Sequence, residues 1–567
     1  MKKQAALLSL SLLVTSSLSM PAGVMGAAEA PAPASAGSQS APVSSSAHEQ
    51  NALVPLRYGA ELLGARVEWN ETERSATAAR GSSVLKVWID SAEAELNGAK
   101  IHLGAPVHLV KEQTMLPLTA LEQFAGLALD GSGQLPVAQD DLTVKATAYV
   151  YHLLNGNREQ LAAGSSPELM KVLGAKTVAG TLAEFQGLAV AHPKLVGTKT
   201  EVNGVHSNVV LDYELDIPPG RIALVVRFDK QGRVDDLANA PAASTHQPAS
   251  YDSPNLYTER EIVVGEGEFA LPGALTLPKG EGPFPLVILV HGSGPNDRDE
   301  TIGGAKPFRD LASGLAAKGI AVLRYDKVTA EHSLKVMADG PRFSLEDETV
   351  ADALRAVELA KTLKEIDPDN IFIAGHSQGG YALPLMLQKP QGASVKGAVL
   401  LSAPSGNMNE VLVEQQEVAL QLLKETGQPA ELVARQEAAV AAYKRMVDII
   451  NDPVYSVDHL PEQFPWGDPY WWIEQRDYQP GELAKTQSTP MFITQGENDW
   501  QVSMKQYEGW KEALKERSNV TFTSYSSVNH LLAEYGSVSI GMEYGQPSNV
   551  AASLIEDVAN WVKKLAE

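Results

Sequence analysis

Ile371-Phe372-Ile373-Ala374-Gly375-His376-Ser377-Gln378-Gly379-Gly380 is the stretch on which the reading of this chain turns. Four apolar residues in a row suit a strand buried on both faces. A Gly-x-Ser-x-Gly follows at once, and Tyr381 to Gln388 is compatible with a helix. Strand, sharp turn and helix are the setting in which this motif carries meaning. The flanking glycines remove side chains that would collide across so tight a turn. The serine hydroxyl then stands at a helix N-terminus, where amides and the helix dipole favour developing negative charge.

Working outward, apolar runs recur at Phe284 to Val290, Ile320 to Tyr325, Gly397 to Leu401 and Met491 to Gln495, with helical stretches such as Asp347 to Leu363 between them. Ile262 to Val264 opens the series. This alternation predicts an α/β fold, a doubly wound and mostly parallel sheet, over residues 257–567. Val290-His291-Gly292-Ser293-Gly294-Pro295 closes one of the strands, and its small residues let backbone N–H groups approach a substrate oxygen. The N–H groups of Ser293 and Gln378 are the candidate oxyanion hole. An acid and then a histidine are expected downstream of the serine. Gly496-Glu497-Asn498-Asp499 follows a late strand, so Asp499 is the candidate acid and Glu497 its rival. His530 is the last histidine in the chain and the only one after Asp499. A serine hydroxyl needs a base to become nucleophilic, and a histidine needs a carboxylate to fix its tautomer. Ser377, His530 and Asp499 thus form a candidate triad that calls for neither metal nor cofactor. His291 and His376 read as packing residues, and Arg324-Tyr325-Asp326-Lys327 reads as structural. The charged loop Asn296 to Asp299 reads as solvated.

From about Tyr257 onward the chain resembles the α/β-hydrolase superfamily, above all its dienelactone hydrolase-like and acyl-peptidase-like members. The resemblance rests on HGSGPNDRD (His291 to Asp299), RYDK (Arg324 to Lys327), GHSQGG (Gly375 to Gly380), QGENDWQV (Gln495 to Val502) and Asn529-His530. It implies a serine hydrolase. Dienelactone hydrolases proper use cysteine, so dienelactone cleavage is not expected. A helical insertion after Asn407 falls where this superfamily commonly inserts a cap, here about 405–475. Phe464, Trp466, Tyr470, Trp471 and Trp472 form an aromatic cluster that suits either an apolar pocket wall or core packing. A carboxylic ester is the expected substrate, with a short or acylated peptide as the alternative. A surface binding protein with an inert hydrolase domain is the reading from outside enzymology.

Ahead of that domain two segments echo each other: Val54-Pro55-Leu56 with Gly64, and Leu116-Pro117-Leu118 with Gly126. Each reads as a proline-led helix start, one amphipathic helix and a glycine stop. Alternating strands and an Asn97-Gly98 hairpin turn lie between them. This module, 51–135, resembles the copper amine oxidase N-terminal-like domain. His102 and His108 are its only histidines and lack metal-ligand spacing, so a structural or surface-contact role is expected. Residues 140–240 predict a small α+β domain, helices Ala146 to Leu161 and Ser166 to Leu173 before an antiparallel sheet, similar to NTF2-like or cystatin-like domains. Residues 241–256 read as a linker.

Lys2 and Lys3, a short apolar run and small residues around Ala28 form an export signal (1–28), followed by an Ala/Ser/Pro-rich linker at 29–50. The rival is an uncleaved anchor, but the run is short for a membrane span. A secreted or cell-surface protein is expected. None of the 567 residues is cysteine, which excludes disulfides, thiolate chemistry and lipidated cysteine. A net charge of -23 argues against nucleic acid as a partner.

Overall fold

The computed structural model describes residues 53–110, 112–125, 142–154, 158–173, 193–216, 219–240, 244–337, 342–465 and 469–567. The signal and first linker read from the sequence lie outside them. The described residues divide into two compact units, one holding those from 53 to 202 and 206–240, the other 203–205 and those from 244 to 567.

The first unit combines both N-terminal modules. Five antiparallel strands, Arg66–Asn70, Ser75–Arg80, Ser83–Trp88, Glu93–Leu96 and Ala99–His102, form a meander. Its last hairpin turns at Asn97 and Gly98, both at positive φ (53° and 80°), as the sequence predicts for a type I′ turn. The helices Leu56–Leu62 and Leu118–Ala125 follow the two proline-led starts. The second module has a four-stranded antiparallel sheet, Lys194–Val202, Ser207–Asp216, Pro219–Phe228 and Val234–Asn239. Of the predicted helix over 146–161, the described residues form Leu142–Leu154 and Arg158–Gly164. Sequence patterning separated the two modules, yet they share one compact unit, the helix Leu56–Leu62 lying against the strand Lys194–Val202.

The second unit is built on an eight-stranded sheet. In spatial order its strands are Tyr257–Val264, Leu271–Pro278, Ala321–Tyr325, Phe284–Val290, Ile366–His376, Gly397–Leu401, Met491–Gly496 and Val520–Tyr525. The first two are antiparallel additions; from Ala321–Tyr325 onward every pairing is parallel. Apolar runs without alternation form these strands because helices cover both faces. Leu286, Ile288 and Val290 face one core, with the helices Ala351–Ala360 and Gln378–Gln388. Val287 and Leu289 face the other, with Pro307–Ala316 and Ala552–Ala566. Each such leucine or isoleucine contributes about 1.5–3 kcal/mol by leaving water.

Chain order decides where a site can form. After Phe284–Val290 the chain steps to one side, to Ala321–Tyr325, and then crosses to the other, to Ile366–His376. The loops leaving Val290 and His376 therefore diverge and open a crevice at the C-terminal edge of the sheet. Over it lies the insertion: helices Met408–Glu425, Ala430–Asn451 and Pro469–Glu474. Asn407 caps the first helix, its Oδ1 accepting from the N–H of Asn409 at 3.0 Å. Its Nδ2 donates to the carbonyls of Arg476 (2.6 Å) and Tyr478 (3.2 Å), which ties the insertion's two ends together.

One expectation needs correcting. The 241–256 stretch has no regular secondary structure where described, but it is not a free linker. His246 pairs with Asp310 at 2.9 Å, and Tyr251 donates to the carbonyl of Val550 at 2.7 Å. Of the aromatic cluster's two readings, core packing holds for the described members: Trp472 is buried in the core and Phe464 and Trp471 pack against it, while Trp466 lies outside the described residues.

Candidate active site

Ser377 sits between the strand Ile366–His376 and the helix Gln378–Gln388, at φ 50° and ψ -116°. For a non-glycine residue such a conformation costs on the order of 1–3 kcal/mol. The surroundings hold it there. The Ser377 N–H donates to the Leu401 carbonyl at 2.9 Å, and its own carbonyl accepts from the Tyr381 N–H at 2.9 Å. The glycines are required by contact: a Cβ on Gly375 would lie 2.4 Å from the Gly379 carbonyl carbon, and one on Gly379 would lie 2.2 Å from the Val290 carbonyl oxygen.

Asp499 follows the strand Met491–Gly496 and is engaged on both oxygens. Its Oδ1 accepts the N–H groups of Gln501 (2.8 Å) and Val502 (2.9 Å). Its Oδ2 accepts from Gln495 Nε2 at 3.1 Å and lies 2.8 Å from His530 Nδ1. The Gln495 amide is itself oriented, since its Nε2 also donates to the carbonyls of Gly496 and Val502. Because a carboxylate faces Nδ1, that nitrogen carries the proton and Nε2 is left as the acceptor. Both side chains are nearly inaccessible to solvent, at 4% and 0% for His530 and Asp499. The His530 loop is shaped by Asn529, whose Oδ1 accepts the N–H groups of Leu531 (3.1 Å) and Ala533 (3.2 Å). Glu497, the rival acid, turns away and accepts from Ser524 Oγ at 2.8 Å.

Ser293 and Ser377 line one small cleft, partly open to solvent, with Pro404, Met408, Val411, Leu412, Gln415, Gln501 and Val502. The cap supplies its apolar wall. Among the described residues, the backbone N–H groups of Ser293 and Gln378 have no hydrogen-bond partner, and neither has the Ser377 hydroxyl.

Around these groups stands a buried polar frame that patterning left unassigned. Glu300 Oε1 accepts the Gly292 N–H at 2.6 Å. Its Oε2 lies 2.9 Å from His376 Nδ1, at an angle poor for a linear hydrogen bond. His376 Nε2 donates to the His530 carbonyl at 2.9 Å. With acceptors facing both nitrogens, the His376 ring is favoured in its protonated form. Burial works against its charge, but Glu300 outweighs burial and raises its pKa. Burial likewise pushes Glu300 up, and the His376 charge more than reverses this, holding the carboxyl below 4.5. His291 is different. Fully buried between the rings of Phe308 (5.0 Å) and Tyr325 (5.3 Å), it is pushed by burial down to about 4 and stays neutral, a packing residue as expected. The loop charges after it are not solvated: Arg298 bonds to Asp326 and Glu261, and Asp299 to Lys306 and Arg324.

Residues 37–137 match the family model of the copper amine oxidase N-terminal domain, and residues 283–534 that of serine aminopeptidase, S33. Esterase EstD of Thermotoga maritima is 30% identical over 429 residues, spanning 74% of this chain and 95% of the relative. Among solved structures, Est1E from Butyrivibrio proteoclasticus is 16% identical with a TM-score of 0.35, covering 54% of this chain and 98% of its own. A Mycobacterium tuberculosis puromycin-hydrolyzing peptidase is 18% identical with a TM-score of 0.36, covering 63% and 46%.

Proposed function

We infer that this chain, which belongs to the α/β-hydrolase family of serine ester hydrolases, cleaves carboxylic esters through Ser377, His530 and Asp499 and is exported from the cell. The observations carrying the catalytic part are the 2.8 Å contact between His530 Nδ1 and a fully buried Asp499 carboxylate and the strained strand–helix turn that holds Ser377.

The chemistry follows from those positions. His530 Nε2 takes the Ser377 proton as the hydroxyl attacks the ester carbonyl. Asp499 fixes the tautomer and stabilises the imidazolium that forms. The oxygen that gains charge is met by the N–H groups of Ser293 and Gln378, free to donate. Each such donor contributes about 3 kcal/mol to the transition state. His530 then protonates the leaving alcohol, and water, activated by the same base, releases the acid from the acyl-enzyme. The unengaged Ser377 hydroxyl is in keeping with catalytic hydrogen bonds that tighten only with substrate bound.

Esters are favoured over peptides by the pocket wall. Met408, Val411, Leu412 and Val502 suit a short acyl chain. An inert hydrolase domain is disfavoured by so complete a set of groups. Export, with surface contact through the N-terminal modules, rests on the sequence of residues 1–50 alone.

The test compares p-nitrophenyl esters of two to eight carbons with aminoacyl p-nitroanilides. Short esters should be turned over fastest, and Ser377→Ala should abolish turnover in a folded protein. Anilides cleaved faster than esters would move the assignment to a peptidase.

A further inference from the structure

The Gly292–Ser293 peptide is gripped in a way the catalytic reading alone does not require. The Gly292 carbonyl accepts from Lys327 Nζ at 2.9 Å and from Asn296 Nδ2 at 3.2 Å. In a trans peptide the carbonyl of one residue and the N–H of the next point in opposite directions. A carbonyl anchored against an ammonium therefore aims the Ser293 N–H the other way, and Ser293 lines the pocket beside Ser377. Gly292, and Gly294 at φ 94°, leave this backbone permissive, so its orientation has to be imposed from outside.

Lys327 is built for that task. It is 2% exposed, and its other side-chain partner is Glu348 Oε1 at 2.7 Å. Its backbone N–H donates to the Asn296 carbonyl at 3.0 Å, so residue 327 straps the loop twice. Burying an ammonium is costly unless its bonds are satisfied, and a carboxylate alone would pair the charge. The second bond is spent on one particular carbonyl. A charge-assisted bond to that oxygen also draws electron density from the amide and makes its N–H a stronger donor.

We propose that Lys327 is a positioning residue of the oxyanion hole, its ammonium pinning the Gly292 carbonyl so that the Ser293 N–H points at the reacting oxygen. The proposal rests on the reading of Ser293 as an oxyanion donor. It assigns the lysine of the RYDK motif a role in turnover rather than in folding alone.

The experiment uses the full chain carrying Lys327→Met with Glu348→Gln, which removes both buried charges and strands neither. Turnover of p-nitrophenyl butyrate and inhibition by an alkyl trifluoromethyl ketone, whose serine adduct carries an oxyanion, are measured together with the pH–rate profile. The expected result is a fall in kcat of about thirty- to three-hundredfold, KM unchanged within about twofold, and inhibitor affinity weakened by the same factor as kcat. The pH inflection stays put, because His530 and Asp499 are untouched. Glu348→Gln alone should keep most of the activity; a loss equal to the double variant's would assign the effect to the ion pair and overturn the proposal. A folded double variant with kcat and inhibitor affinity unchanged would overturn it too. If the double variant does not fold, Lys327→Gln, neutral and shorter, takes its place with the same criteria. Ser377→Ala in parallel separates the two failures: activity retained there sinks the catalytic reading, whereas activity lost there but kept in the lysine variants sinks this proposal alone.

Discussion

Replacing Asp499 by asparagine keeps the side chain's shape and forces one choice, which end of the new amide faces His530. The surroundings decide it. The Oδ1 position receives two backbone N–H groups, from Gln501 and Val502, and only the amide oxygen can satisfy them. The NH₂ must then occupy the Oδ2 position, 2.8 Å from His530 Nδ1 and 3.1 Å from Gln495 Nε2. Gln495 cannot turn to help, because its own NH₂ is committed to the carbonyls of Gly496 and Val502. A donor facing Nδ1 drives the imidazole proton to Nε2, the nitrogen that has to accept from Ser377. The expected loss in kcat is about ten-thousandfold, or about 5.4 kcal/mol of transition-state stabilisation. The second N–H of the new amide faces the Gln495 NH₂ and is left unsatisfied, which lowers stability by about 1–3 kcal/mol. The assay is kcat and KM for p-nitrophenyl butyrate alongside a thermal melt, with Glu497→Asn as the comparison. Glu497→Asn should stay within about threefold of wild type, as for a partly solvated surface change. A folded Asp499→Asn enzyme retaining more than about a tenth of wild-type kcat would refute the tautomer argument.

Two further perturbations read other parts of the site. Glu300→Gln removes the partner of His376. Glu300 is held below its ordinary 4.5, so its contribution is complete above that pH and is lost as pH falls through the folded value; the raised His376 contributes fully below its ordinary 6.5 and loses it as pH rises. The melting temperatures of wild type and variant should differ most between about pH 4.5 and 6.5 and converge on either side, and a gap independent of pH would deny the ion pair. Leu412→Ala opens the apolar wall of the pocket: the melt should reveal about 2–5 kcal/mol of lost stability, and longer acyl esters should gain about fourfold in relative kcat/KM for each methylene admitted. An unchanged chain-length profile would put the acyl group elsewhere.

How much of this was legible from sequence depended on the range of the forces involved. The parallel sheet was readable because a strand covered on both faces needs an unbroken apolar run, and Phe284–Val290, Ile371–Ala374 and Met491–Gln495 supply it. The Ser377 turn was readable because its strain demands glycines at fixed neighbours. Asp499 and His530 followed from chain order after an identified strand. What failed was long-range. Nothing local marks Glu300 as the partner of His376, 76 residues later, or Lys327 as a ligand of the Gly292 carbonyl. Charge patterning put Asn296–Asp299 in solvent, because from sequence alone a charge looks solvated until its partner is known; here the partners Asp326, Arg324 and Glu261 come from separate strands or their ends. The aromatic cluster stayed undecided between pocket and core for a related reason. Tryptophans fill cores as readily as pockets, and the smaller Met408, Val411 and Leu412 took the pocket wall because the capped start of their helix overhangs the crevice.

The account stands or falls on the reactivity of a single hydroxyl. Treating the intact protein with a fluorophosphonate and mapping the modified peptide by mass spectrometry tests it most directly. The prediction is stoichiometric phosphonylation at Ser377, with parallel loss of esterase activity, and no labelling in Ser377→Ala. Modification at another residue with activity lost, or an active enzyme bearing a fully labelled Ser377, would contradict it.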